Sequence, residues 1–127
     1  MEHIIENQTG SYKELIVWQR AMELVVAVYA VTELYPRFEL YGLTAHTRKS
    51  AISIPSNIAE GKRRSTLKDY RQFLVRAFAS GAELETQIEI AKRLPFGKTL
   101  DFSKVDQLLE EVMKMLNRMT DRKQTPK

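Results

Sequence analysis

Cysteine is absent from the chain. That one absence removes disulfides, thiolate metal sites and cysteine nucleophiles together, and it suits a reducing, cytoplasmic setting. Histidine is nearly absent, with only His3 and His46. A di-iron helical bundle needs Glu-x-x-His on two of its helices, and neither histidine stands three residues after a glutamate. A catalytic zinc needs about three converging histidine or acidic ligands, and a serine triad needs a histidine base, for which His46 is the one candidate outside the N-terminal arm. No glycine-rich phosphate loop of the Walker type occurs. The inventory reads as a protein that is not an enzyme and holds neither metal nor cofactor.

Long apolar runs are also missing. The longest, Leu24 to Val31, falls far short of the roughly 20 residues of a membrane span. Residues 1–10 are polar and lack the basic-then-apolar layout of a signal peptide. Glycines and prolines number five and four, at separated points, so no linker divides the 127 residues and one domain is expected.

What is present is helical spacing. From about Lys13 to Leu34, Leu15, Trp18, Met22, Val25 and Tyr29 recur at steps of three and four, the spacing of one helix face. A second stripe, Val17, Ala21, Leu24, Val28 and Val31, runs beside it. A helix apolar around so much of its circumference needs cover on two sides. One bundle core covers a single stripe, so the other predicts contact with a second chain. Pro36 ends this helix, because the residue before a proline is driven out of helical geometry.

The second segment, Tyr41 to Glu60, has Leu43, Ala51, Ile54 and Ile58 on one face and Gly61 as a stop. Pro55 lies inside it. A proline there removes a hydrogen bond and crowds the Ala51 carbonyl, which predicts a kink, or alternatively two shorter helices. Ser56 and Asn57 follow with side chains suited to freed backbone groups. The third segment holds the strongest period: Leu67, Tyr70, Leu74, Ala77, Gly81, Leu84, Ile88 and Ala91. Thr66 and Asp69 resemble a capping box at its start, and Gly81 predicts a close approach of another backbone. The fourth starts near Ser103, with Val105, Leu108, Val112, Met115 and Met119 on its face and Asp106 in the first turn, where negative charge suits the helix dipole. Short connections favour antiparallel neighbours. The expected fold is all-α, an up-down-up-down antiparallel four-helix bundle kinked at Pro55. It spans residues 12–121, between a flexible arm at 1–11 and a frayed tail at 122–127.

Charge is clustered. The net charge is +4 and the isoelectric point about 9.4, a mild excess by itself. Yet Lys62, Arg63, Arg64, Lys68, Arg71 and Arg76 fall within fifteen residues containing one acid, Asp69. Arg64, Lys68 and Arg71 share a helix face if the third helix starts early enough. Such a stripe beside a basic loop is the footprint of a phosphate-backbone site. The alternative is a solubilising turn whose cations favour the C-terminus of the second helix. Tyr70 and Phe73 read as core, so no aromatic side chain is evidently placed to stack on bases, and little sequence preference is expected. The acidic run Glu83, Glu85 and Glu89 reads as a face paired with Lys92, Arg93 or cations of a neighbouring helix.

The run IPSNIAEG (Ile54 to Gly61) followed by KRRS (Lys62 to Ser65), with LIVWQ (Leu15 to Gln19) and ELETQ (Glu83 to Gln87), resembles the four-helix-bundle proteins encoded in bacterial 23S rRNA intervening sequences. The likeness covers about Tyr12 to Met119. The family is also similar to the accessory variability determinant of diversity-generating retroelements. The resemblance implies an up-down bundle assembled as a homopentamer. Through the retroelement relatives it also implies a basic surface for RNA or DNA and a reverse transcriptase as partner. Lys62 to Arg64 fall at the family's cationic turn. Thr47 stands where the family tends to have an apolar residue, and its hydroxyl has the Leu43 carbonyl as an expected acceptor. The function expected is an oligomeric nucleic-acid-binding protein using Lys62, Arg63, Arg64, Lys68 and Arg71. The alternative is a purely structural oligomer or protein-interaction scaffold.

Overall fold

The three-and-four spacing resolves into four helices in the computed structural model, which describes residues 10–121. Residues 1–9 of the arm expected at 1–11, with His3, and the expected tail at 122–127 lie outside the described residues. A 3-10 turn at Tyr12–Glu14 leads into α1 (Ile16–Thr32), and α2 (Ala45–Lys62), α3 (Leu67–Arg93) and α4 (Ser103–Thr120) follow. No β-strand is formed among the described residues. α1 packs against α2 and α4, and α3 packs against the same two. The four helices thus make a closed ring of neighbours around one core.

Each helix contributes the buried face that its period demands. α1 turns Val17, Ala21, Leu24, Val28 and Val31 inward, α2 turns Ala51, Ile54 and Ile58, and α3 turns Tyr70, Leu74, Ala77, Leu84, Ile88 and Ala91. On α4 the core residues are Val105, Leu108, Leu109, Val112 and Leu116, while Met115 and Met119 are only half-buried at the edge. Burying a large aliphatic side chain is worth about 1.5–3 kcal/mol, so this core dominates the stability of the bundle.

Local chemistry sets the ends. Thr66 Oγ1 accepts from the Asp69 amide at 3.2 Å and caps α3. Before α4, Asp101 Oδ1 accepts from the Ser103 amide at 2.9 Å and from its hydroxyl at 2.6 Å. Those bonds hold the Asp101 carboxyl below its usual range.

Several expectations need correction. The second segment is interrupted at Gly42, whose φ of −108° and ψ of −111° are not helical, and Leu40–Thr44 form a π-helical turn before α2. At Pro55, by contrast, α2 continues without a break. Ser56 Oγ donates to the Ile52 carbonyl at 2.9 Å and Asn57 Nδ2 to the Ser53 carbonyl at 2.8 Å, both in the turn the proline disturbs. Gly61 is not the stop. It lies inside α2 and is buried against α3, where an added Cβ would come 2.8 Å from Phe73 Cβ and 3.1 Å from Tyr70 Cδ1. Gly81 faces the side chain of Met113 on α4 rather than a backbone. Thr47 is fully buried, and its hydroxyl has no hydrogen-bond partner at all. The Leu43 carbonyl lies in the π-helical turn, where the regular back-bonding geometry of an α-helix is lost.

Candidate nucleic-acid interface

The basic stretch folds as the last residue of α2, a four-residue turn and the first turns of α3. Because α3 starts only at Leu67, Arg64 lies ahead of it and does not share a helical stripe with Lys68 and Arg71. Lys68 and Arg71 stand one turn apart on α3, Lys62 ends α2, and Arg63 and Arg64 occupy the turn. Arg63, Arg64, Lys68 and Arg76 are exposed, whereas Lys62 and Arg71 are half-buried. The Arg71 Nε is buried without a hydrogen-bond partner.

Of Lys62, Arg63, Arg64, Arg71 and Arg76, Arg64 alone pairs with a carboxylate among the described residues. Arg64 Nη2 lies 3.7 Å from Glu60 Oε2, one turn back on α2. Lys62, Arg63, Arg71 and Arg76 have no carboxylate within 4 Å among the described residues. Solvent-exposed pairs of the Arg64–Glu60 kind contribute only about 0–1 kcal/mol, so Glu60 does not lock Arg64 away from a competing anion.

Aromatic rings hold the guanidiniums instead. Arg63 lies over the Tyr12 ring at 5.4 Å, and Tyr12 packs edge-on against Trp18 at 5.3 Å. Arg64 and Arg76 both lie over Phe73, at 4.5 and 4.6 Å. Phe73 is buried, as the period suggests, but the two arginines form part of its cover. Tyr12 escapes a reading of the sequence because about fifty positions separate it from Arg63. The spacing of Phe73 and Arg76, three residues apart on a helix, was the available signal for the other contact.

The acidic run is less paired than expected. Glu89 approaches Arg93 at 3.9 Å, while Lys92 turns to Asp106 on α4 at 2.7 Å. Glu83 and Glu85 make no ion pair among the described residues. A concavity of 680 Å³ runs between α3 and α4 over Ile88, Leu109 and Met113, with Glu85, Glu89 and Glu110 on its rim. Lys92 and Lys114 share that rim, paired with Asp106 and Glu110. No group of three histidine or acidic side chains capable of holding a metal occurs among the described residues. No helix there is long and apolar enough to cross a membrane.

The other unsatisfied surface is apolar. Leu15, Trp18 and Val25 are only half-buried, and Met22 and Tyr29 are exposed, so the first of the two α1 stripes is the uncovered one. It borders a 290 Å³ groove shared with Ile52, Pro55 and Ala59 of α2. Ile52 also lines the adjoining groove that runs on to Tyr29, Leu40 and Tyr41, and Tyr41 is 90% exposed.

Comparison with known proteins fits this architecture. No curated protein matches the chain. A crystal structure of a protein with unknown function from the S23 ribosomal protein family of Bacteroides thetaiotaomicron superposes with a TM-score of 0.71 at 18% identity. It covers 84% of this chain and 99% of its own, a likeness of fold. The family model of the 23S rRNA-intervening sequence protein matches residues 13–118, which span all four helices. The chain therefore belongs to the 23S rRNA-intervening sequence protein family.

Proposed function

We propose that this chain is an oligomeric protein that binds RNA or DNA through the phosphate backbone, without enzymatic activity. The contacts are assigned to Lys62, Arg63, Arg64, Lys68 and Arg71. The observation that carries the reading is the cluster of cations at the α2–α3 turn, with Glu60 of α2 the one carboxylate approaching Arg64. Assembly multiplies the effect. In a pentamer, the stoichiometry that the family resemblance implies, five chains at +4 each carry +20. The same resemblance, through the retroelement relatives, adds a reverse transcriptase as a partner, and the absence of cysteine suits the cytoplasm as the setting. The up-down-up-down course is supported by the ring of neighbours α1–α2–α3–α4 and by short connections, which favour antiparallel pairs. A kink at Pro55 is supported by its lost donor and by the side-chain bonds around it.

Replacing Arg63, Arg64 and Lys68 by alanine tests the reading. Salt titrations of binding to structured RNA and duplex DNA should show wild-type affinity falling about tenfold or more between low and physiological salt. The triple variant should bind more weakly, with a flatter slope and unchanged helical content. A wild type that binds neither at low salt, or a variant that binds equally well, hands the function to the second reading. That reading, a structural oligomer or protein-interaction scaffold, is favoured by the apolar α1–α2 surface left uncovered on the single chain.

A further inference from the structure

Two guanidiniums converging on one ring is an unusual use of charge. Arg64 comes from the turn after α2 and Arg76 from the third turn of α3, yet both lie over Phe73. The two charges therefore stand within about 9 Å of each other, inside the roughly 10 Å Debye length at 0.1 M salt. They repel, and their attraction to the face of the ring offsets that repulsion. Glu60 reaches only Arg64, and Arg76 has no carboxylate within 4 Å among the described residues. An anion bound between or across the pair relieves the repulsion that the ring sustains.

We infer that Phe73 is a positioning residue that presets Arg64 and Arg76 as a two-arginine clamp for successive phosphates of a nucleic-acid backbone. This adds Arg76 to the contacts and rests on the nucleic-acid reading above. The chemistry suits phosphodiester oxygens. Guanidinium is planar, always charged and offers parallel donors that match phosphate oxygens in pairs. A long flexible side chain loses freedom when it binds, and stacking on a ring removes part of that cost beforehand. Phe73 is itself fixed from behind, since its Cβ sits against Gly61. The ring of the clamp is thus seated on the contact between α2 and α3.

The test keeps the charge constant. Phe73→Leu leaves every cation in place but removes the ring. Its affinity for structured RNA and for duplex DNA at low salt should fall about five- to tenfold. Phe73→Tyr, which restores the ring, should restore affinity. Loss on Arg64→Ala should be smaller in the Phe73→Leu background than in wild type, the signature of coupled side chains. Arg37→Lys, on the turn after α1, serves as the control for a guanidinium elsewhere on the surface. Should Phe73→Leu fail to fold, the charge-conserving pair Arg64→Lys and Arg76→Lys carries the test, because both residues are exposed and an ammonium cannot replace the stacked fork. Binding that is unchanged by Phe73→Leu, or by the lysine pair, overturns the clamp while leaving the nucleic-acid reading standing. A wild type that binds neither ligand removes both.

Discussion

Tyr35 and Thr47 each carry a buried hydroxyl that finds no hydrogen-bond partner. Tyr35 packs against Phe96 at 4.9 Å, joining the end of α1 to the turn before α4. Burial pushes its phenol up to about 12, and Tyr70 moves in the same direction for the same reason. The folded state thus keeps the Tyr35 proton at pH values where the unfolded chain, near 10, releases it. That contribution to stability is complete below pH 10 and is lost progressively as pH rises from about 10 to 12. Tyr35→Phe should therefore flatten the fall of the thermal midpoint across this window, relative to wild type. It should cost little below pH 10, because the deleted hydroxyl bonds to nothing. Melts from pH 8 to 12 decide it, and parallel curves for the two proteins would show that Tyr35 is not responsible. Thr47 makes the related point about legibility. Its place in the seam could be read from the spacing of Leu43, Ala51, Ile54 and Ile58. The fate of its hydroxyl could not, because that depends on the π-helical turn at Leu40–Thr44.

At the scale of the helix, α1 and α2 show what periodicity reveals and what it hides. Both apolar stripes of α1 are plain in the sequence, but the pattern alone does not say which one faces the chain's own core. The bundle chose Val17, Ala21, Leu24, Val28 and Val31. The site divides likewise: a run of cations is visible to any reader, but the rings that hold them come from Tyr12 and Phe73, through tertiary contact. In α2 the proline is the residue whose chemistry disturbs a helix, while the interruption of the segment falls at Gly42, before α2 begins. Pro55 still has an element-scale role, since it lines the uncovered groove with Trp18, Met22 and Val25. Pro55→Ala should leave the helical circular dichroism signal intact, restore the missing backbone donor and change how α2 presents Ile52 and Ala59. The expected readout is a shifted thermal midpoint together with weakened self-association in sedimentation. If both stay at wild-type values, the proline is incidental to packing.

At the scale of the whole molecule, the apolar α1–α2 surface and the basic α2–α3 turn share one helix. Burial of apolar area is worth about 25 cal/mol per Å², so a surface of this kind on every copy favours association of copies. Wild type should be oligomeric at micromolar concentration by light scattering. Met22→Glu with Ile52→Glu should yield monomers of unchanged helical content, because both side chains are already exposed on the single chain. A monomeric wild type would remove the assembly and with it the multiplied charge. Gly61 connects these surfaces in another way. It permits the approach on which Phe73 rests, and Phe73 in turn seats Arg64 and Arg76. A methyl group added there changes no charge and meets no ligand, yet it displaces the base on which both cations stand. The geometry of a surface is thereby tied to an interior position that never reaches it.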